Sequence, residues 1–172
     1  MDRHYKEAWE ELTAEGAPFS WSNIEIRNHM TRVYDSAPAN LVDIWSMSVA
    51  HGEKDYLIYG DERISYEQAH VEVNCFASYL SDLGVEHGDR VAILMRNYPE
   101  WVLTYWAVAS LGAIAVGMNA WWTGPEIEFA VDDCEPKVIV CDQERLEKLA
   151  PHLSALRGEG DIHVVAVRTK AD

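Results

Sequence analysis

The sequence predicts an α/β fold: a doubly wound, mostly parallel sheet with helices on both faces, preceded by an irregular N-terminal arm. Three observations carry this. Val91-Ala92-Ile93-Leu94-Met95 is apolar without alternation, as a strand covered on both faces must be. Stretches with helical spacing separate this run from similar short runs at Ala113–Val116, Lys137–Cys141 and His163–Val167. Each helical stretch opens on a residue able to satisfy orphan amides or begins with proline.

In chain order, residues 1–50 lack a sustained period and hold Pro18, Pro38 and scattered aromatics Trp9, Phe19, Trp21 and Tyr34, so they are expected to form an arm. Asn40 is placed to cap a short helix through Trp45 and Val49. The α/β part is expected over 51–172. Tyr56–Tyr59 and Arg63-Ile64 flank Gly60-Asp61-Glu62, a hairpin pattern. Ser65 with Gln68 three residues later is a capping box, and Ala69, Val73, Phe76, Ala77, Leu80 and Leu83 then recur at helical spacing until Gly84. Pro99 opens a helix ending near Leu111, Thr123 and Glu126 bracket another, and Asp142 caps a last helix through Leu146, Leu149 and Leu153 with Glu144 and Lys148 spaced for an i,i+4 pair.

Composition narrows the function. The 172 residues are 48% apolar and 25% charged, enough to bury one core, so a disordered or fibrous chain is excluded. The net charge of −15 repels a phosphate backbone, which argues against nucleic acid. Cys75, Cys134 and Cys141 form no C-x-x-C pair and are expected as reduced, buried thiols of a cytoplasmic protein. The first residues lack the apolar stretch of a signal peptide. The uncharged run Trp101–Pro125 has the length of a membrane span, yet Gly112 splits it and Asn119, Thr123, Gly124 and Pro125 read as a loop, so it is expected to be a buried helix and strand instead of a transmembrane segment. The close pair Gly158 and Gly160 precedes a strand where a dinucleotide fingerprint would open a helix, and no P-loop, G-x-S-x-G or H-E-x-x-H occurs. His4, His29, His51, His70, His87, His152 and His163 show no ligand spacing, so no metal site is expected.

From about Asn28 to Leu153 several segments agree in order and spacing with one family. They are V-Y-D-S-A-P-A-N-L ending at Leu41, Ile64-Ser65-Tyr66, Leu83-Gly84-Val85 with Gly88-Asp89-Arg90-Val91-Ala92-Ile93, Arg96-Asn97-Tyr98-Pro99-Glu100-Trp101, and Leu111-Gly112-Ala113 with Asn119-Ala120-Trp121-Trp122-Thr123. Together they resemble the N-terminal part of the AMP-forming acyl-CoA synthetases, and the N-A-W-W-T-G-P-E-I loop is most similar to that of fatty-acid and related carboxylate CoA ligases. Where the family usually has proline before the Asn loop, this chain has Val116-Gly117-Met118. The family's Ser/Thr/Gly-rich phosphate loop, its T-G-D segment, hinge and catalytic lysine find no counterpart in these residues.

The resemblance implies a scaffold portion of an enzyme that activates a carboxylate, such as a fatty acid, with ATP and Mg²⁺ to an acyl-adenylate and passes the acyl group to CoA. The remainder of the synthetase is the implied partner and a homo-oligomer an open option; this chain alone is expected to be inactive and to bind none of the cofactors tightly. Arg145 and Lys148 lie where some synthetases place basic residues on a CoA phosphate, and a solvated helix face is the plainer expectation for both. Arg96 and Asn97 follow a strand's carboxyl end, the usual ligand position in open α/β sheets, although Asn97 is expected first of all as a helix cap. Trp121 and Trp122 are candidates for an acyl-facing or partner-facing surface, and Asp132, Asp133 and Glu135 for a solvated helix end. The alternative reading is a stand-alone module, without catalysis, that binds CoA or another protein. A nucleotide-binding regulatory module is a third.

Overall fold

A computed structural model describes residues 3–156 and 162–170. The Gly158 and Gly160 pair lies outside them. The chain divides into two units, Met1–Asp43 and Ile44–Asp172.

The first unit has regular elements where an irregular arm was expected. Helix α1 spans Arg3–Leu12, and strands β1 (Trp21–Ile26) and β2 (His29–Tyr34) pair antiparallel from Trp21↔Tyr34 to Ile26↔His29. The turn is Arg27-Asn28 with φ of 50° and 65°, the doubly left-handed geometry of the tight hairpin turn that sequences normally announce with Asn-Gly. Nearly every residue of both strands is exposed, so no alternation of apolar and polar residues betrayed them. Stacking helps to hold the pair: the Arg32 guanidinium lies 3.8 Å from the Trp21 ring. Asn40 acts as expected, its Oδ1 accepting from the Asp43 amide at 2.9 Å at the start of α2 (Leu41–Met47).

The second unit is built on a sheet of order β6-β5-β7-β8 with all neighbours parallel: β5 Arg90–Leu94, β6 Ile114–Gly117, β7 Val138–Asp142 and β8 His163–Val167. Strict two-residue periodicity divides its two faces. Val91, Ile93, Val138 and Val140 pack beneath α3 (Tyr66–Asp82) and α4 (Pro99–Ser110), whereas Ala92, Leu94, Ile139 and Cys141 pack beneath α5 (Gly124–Cys134) and α6 (Gln143–Leu149). Helices on both faces explain why these strands are continuous apolar runs. A separate hairpin, β3 (Asp55–Tyr59) with β4 (Glu62–Ser65), stands before α3.

The start signals work as written. Ser65 Oγ accepts from the Gln68 amide and Gln68 Oε1 from the Ser65 amide, at 3.2 and 2.9 Å; Glu126 Oε2 accepts both the amide and the hydroxyl of Thr123 at 2.7 Å. The uncharged run 101–125 separates into α4, β6 and a loop, and no described helix is long and apolar enough to cross a membrane.

Two expectations about this unit are corrected. The last helix is broken: α6 ends at Leu149, a 3₁₀ turn covers Ala150–His152 and α7 is only Leu153–Leu156. Pro151 has no amide to continue the ladder, yet Leu149 and Leu156 stay buried in the same cluster. Nor are the thiols all buried, since Cys75 is exposed on α3 and only Cys141 is fully enclosed. Burial pushes the Cys141 thiol up to about 12, with the Asp142 charge adding to it. Under native conditions at pH 8 a thiol reagent should therefore modify Cys75 first and leave Cys141 untouched until denaturant is added.

Gly112 shows why one loop residue must be glycine. Its φ is +67°, and a Cβ there would lie 2.6 Å from Cδ2 of His87, while its carbonyl accepts from the Gly88 amide at 3.0 Å. Gly112→Ala should destabilise the fold by about 1–3 kcal/mol, measured by chemical denaturation.

Candidate functional site

The chain leaves β5 through α4 on one face of the sheet and leaves the adjacent β7 through α6 on the other. Their carboxyl ends thus frame the point where the winding reverses, the position at which open α/β sheets take ligands.

Asp142, the last residue of β7, is the hub of this end and is only 3% exposed. Its Oδ2 accepts the Arg96 amide at 3.0 Å, tying in the end of β5. Its Oδ1 accepts the Arg145 amide at 3.0 Å, capping α6, and both oxygens face Arg145 Nη1 at 3.3 Å. Nη1 also donates to Glu144 Oε2 at 2.9 Å and Nε to the Ala120 carbonyl at 2.8 Å. Arg145 is 1% exposed, so a buried ion pair joins both central strand ends to the loop between β6 and α5.

That loop folds on Asn119, whose Oδ1 and carbonyl accept the Trp121 and Trp122 amides at 2.9 and 3.1 Å. Trp121 projects outward and is 68% exposed, with the Arg96 guanidinium 4.3 Å from its ring centroid. Among the described residues Arg96 has no carboxylate partner. With Asn97, Trp101 and Met118, these groups line an open groove of about 370 Å³. Trp122 turns the other way, packing against the α5 side of the core and edging a second, more apolar groove of about 510 Å³ with Phe129.

The structure therefore separates residues that the sequence grouped. Arg145 is no solvated face: it lies under the loop. Lys148 remains on the outside of α6, 3.7 Å from Glu144 and about one third exposed. Asn97 is not a cap, because the cap position of α4 is Tyr98 and no side chain fills that role; Pro99 at the first turn removes one of the amides a cap would serve. Asp132, Asp133 and Glu135 are exposed as expected.

One cluster escaped the sequence reading. Arg168, just beyond β8, donates to both oxygens of Glu62 at 2.9 and 2.7 Å and to Glu100 at 2.9 Å, with its guanidinium 5.0 and 4.9 Å from the rings of Tyr59 and Tyr98. It fastens the β3–β4 hairpin and the first turn of α4 to the sheet end, and its hydrogen bonds hold the Glu62 carboxyl below the usual range. Its partners lie 106 and 68 residues away, so no local spacing announces it.

Residues 46–171 match the family of AMP-binding enzymes, which includes every residue of the sheet and of the groove. The chain belongs to this family. It is 36% identical over 101 residues to the long-chain-fatty-acid–CoA ligase FadD13 of Mycobacterium tuberculosis, covering 59% of this chain and 19% of that protein. It is 31% identical over 117 residues to the medium/long-chain-fatty-acid–CoA ligase FadD6 of the same organism, again covering 19% of the relative. Among solved structures, the anthranilate CoA ligase AuaEII in complex with anthranoyl-AMP aligns with a TM-score of 0.71 at 29% identity, over 77% of this chain and 26% of that one. The N-terminal domain of FACL13 from Mycobacterium tuberculosis aligns with a TM-score of 0.63 at 27% identity, over 74% and 33%. The chain thus spans about a fifth of the length of the curated relatives it matches.

Proposed function

We propose that this chain is the N-terminal scaffold of an acyl-CoA ligase acting on a fatty acid or similar carboxylate, and that it does no chemistry by itself. The observation that carries the reading is the 36% identity over 101 residues to a long-chain-fatty-acid–CoA ligase. In such a reaction a carboxylate oxygen attacks the α-phosphorus of ATP and releases pyrophosphate; the CoA thiolate then attacks the acyl carbon and releases AMP. Both steps need groups that hold negative charge on a phosphate. The reading assigns the Mg²⁺ and phosphate contacts to the remainder of the enzyme.

What this chain's own residues supply is geometry. Asp142 and Arg145 fix the strand ends and the Asn119 loop, and Trp121 presents an exposed ring toward the remainder of the ligase or its substrate. A CoA phosphate is not assigned to Arg145, whose charge already faces Asp142 and Glu144 in an enclosed setting. Lys148 is the one of the two that can reach a phosphate, by giving up Glu144.

Thermal unfolding tests the scaffold against a stand-alone binding module. With 1 mM ATP, with or without Mg²⁺, or with 1 mM CoA, the melting temperature of this chain should not move. A ligand held a hundredfold below its concentration adds about 2.7 kcal/mol, a shift of several degrees. Such a shift would overturn the scaffold reading in favour of the module.

A further inference from the structure

The loop joining β6 to α5 bonds to itself through Asn119, but its central carbonyl, that of Ala120, is held from beneath by Arg145 Nε, 25 residues further on. Arginine is a poor residue for that place on grounds of stability alone. The side chain is 1% exposed, two carboxylates crowd its single charge, and among the described residues its Nη2 reaches no acceptor. Apolar side chains of the same volume in place of the whole Asp142–Arg145 pair would leave no stranded donor, and replacing buried ion pairs in that way is often neutral or stabilising. An apolar side chain, however, has nothing with which to hold a carbonyl at a fixed height.

The same guanidinium joins the loop to Asp142, and through Asp142 Oδ2 to the end of β5, where the Arg96 guanidinium lies over the Trp121 ring. The loop, both central strand ends and the exposed indole are therefore set by one buried group. We infer that Arg145 is a positioning residue: its Nε–H to the Ala120 carbonyl locks the Asn119–Trp122 loop, so that Trp121 stands preformed over the carboxyl ends of β5 and β7. This rests on the ligase reading only for the purpose of the platform. The lock itself is a property of this chain.

Hydrogen exchange followed by NMR on the 172-residue chain tests it. In Arg145→Met the Trp121 and Trp122 amides should accelerate at least tenfold more than the amides of Ile93 and Val140 in the sheet, whose rates report the global loss of stability from the unpaired Asp142. Arg145→Lys, which retains a charge for Asp142 but lacks the planar fork, should accelerate the same two loop amides. A residue with a merely structural role would change sheet and loop rates by the same factor or change neither. The unsubstituted chain supplies an independent reading: the Arg145 Nε–H should be protected and show a scalar coupling to the Ala120 carbonyl carbon. Unchanged loop exchange in a folded variant, or an unprotected Nε–H in the unsubstituted chain, would overturn the proposal. None of these signals depends on adenylation, so their failure would leave the ligase reading intact, and failure of the ligase reading would leave the lock in place.

Discussion

Asp142→Ala is expected to lower the unfolding free energy by about 3–5 kcal/mol, a large share of the stability of a domain of this size. The substitution removes the cap of α6, the acceptor for the Arg96 amide and the main counter-charge of a guanidinium that is 1% exposed. Glu144 remains as a partner, but its side chain is 58% exposed and holds only one side of the fork. Asp142→Asn separates the contributions: asparagine caps a helix as well as aspartate does, so whatever stability is still lost belongs to the ion pair and to the Arg96 amide, which meets an NH2 group where Oδ2 accepted it. Urea denaturation of the two variants gives both numbers. Adding Arg145→Met to Asp142→Ala should restore part of the loss, because the stranded charge leaves with its partner. A double variant at least as unstable as the sum of the singles would mean that the charges are not coupled.

The second large effect is expected at Trp45. This residue is 4% exposed and lies stacked between His70 at 3.9 Å and Trp106 at 5.0 Å, while Trp106 donates to the Tyr56 hydroxyl at 2.7 Å. Trp45→Ala empties the centre of this cluster and should destabilise by about 3–5 kcal/mol, read as a lowered denaturation midpoint with an unchanged slope. Burial against Trp45 also holds His70 below the ordinary histidine value of 6.5. The unfolded chain takes up a proton at His70 before the folded chain does, so this contribution to stability is complete above pH 6.5 and falls as the pH drops through that value. Trp45→Phe, which keeps a ring over His70, should preserve this pH dependence while giving up part of the stability.

Legibility in the sequence followed the range of the interaction. Local signals were decisive: Ser65 with Gln68, Thr123 with Glu126, Asn40 and Asp142 each mark a helix start that the structure contains. Burial on both faces made the central strands visible as apolar runs, because a parallel sheet covered by helices leaves no polar face to interrupt them. The hairpin of the first unit was invisible for the opposite reason, since its strands are exposed on both sides and its turn uses Arg27-Asn28. Misreadings at the site also have local causes. Asp142 and Arg145 are three residues apart at a strand-to-helix junction, a spacing that fits a buried capped pair as well as a surface pair, and only the Ala120 carbonyl above decides between them. Asn97 looked like a cap because it precedes Tyr98-Pro99, but Tyr98 takes the cap position. Trp121 and Trp122 are adjacent and identical in type, yet they face opposite ways because the loop turns at Asn119. The Arg168 cluster needed tertiary structure from the outset.

The most direct test of the central claim is carboxylate-dependent exchange of labelled pyrophosphate into ATP. It should be measured with C8 to C18 fatty acids, on this chain and on the longest natural polypeptide that contains it. The scaffold reading predicts no exchange above background for the 172 residues and fatty-acid-dependent exchange for the longer polypeptide, abolished there by Asp142→Ala. Exchange catalysed by the 172 residues alone, or its absence from a folded longer polypeptide with every carboxylate, would contradict it.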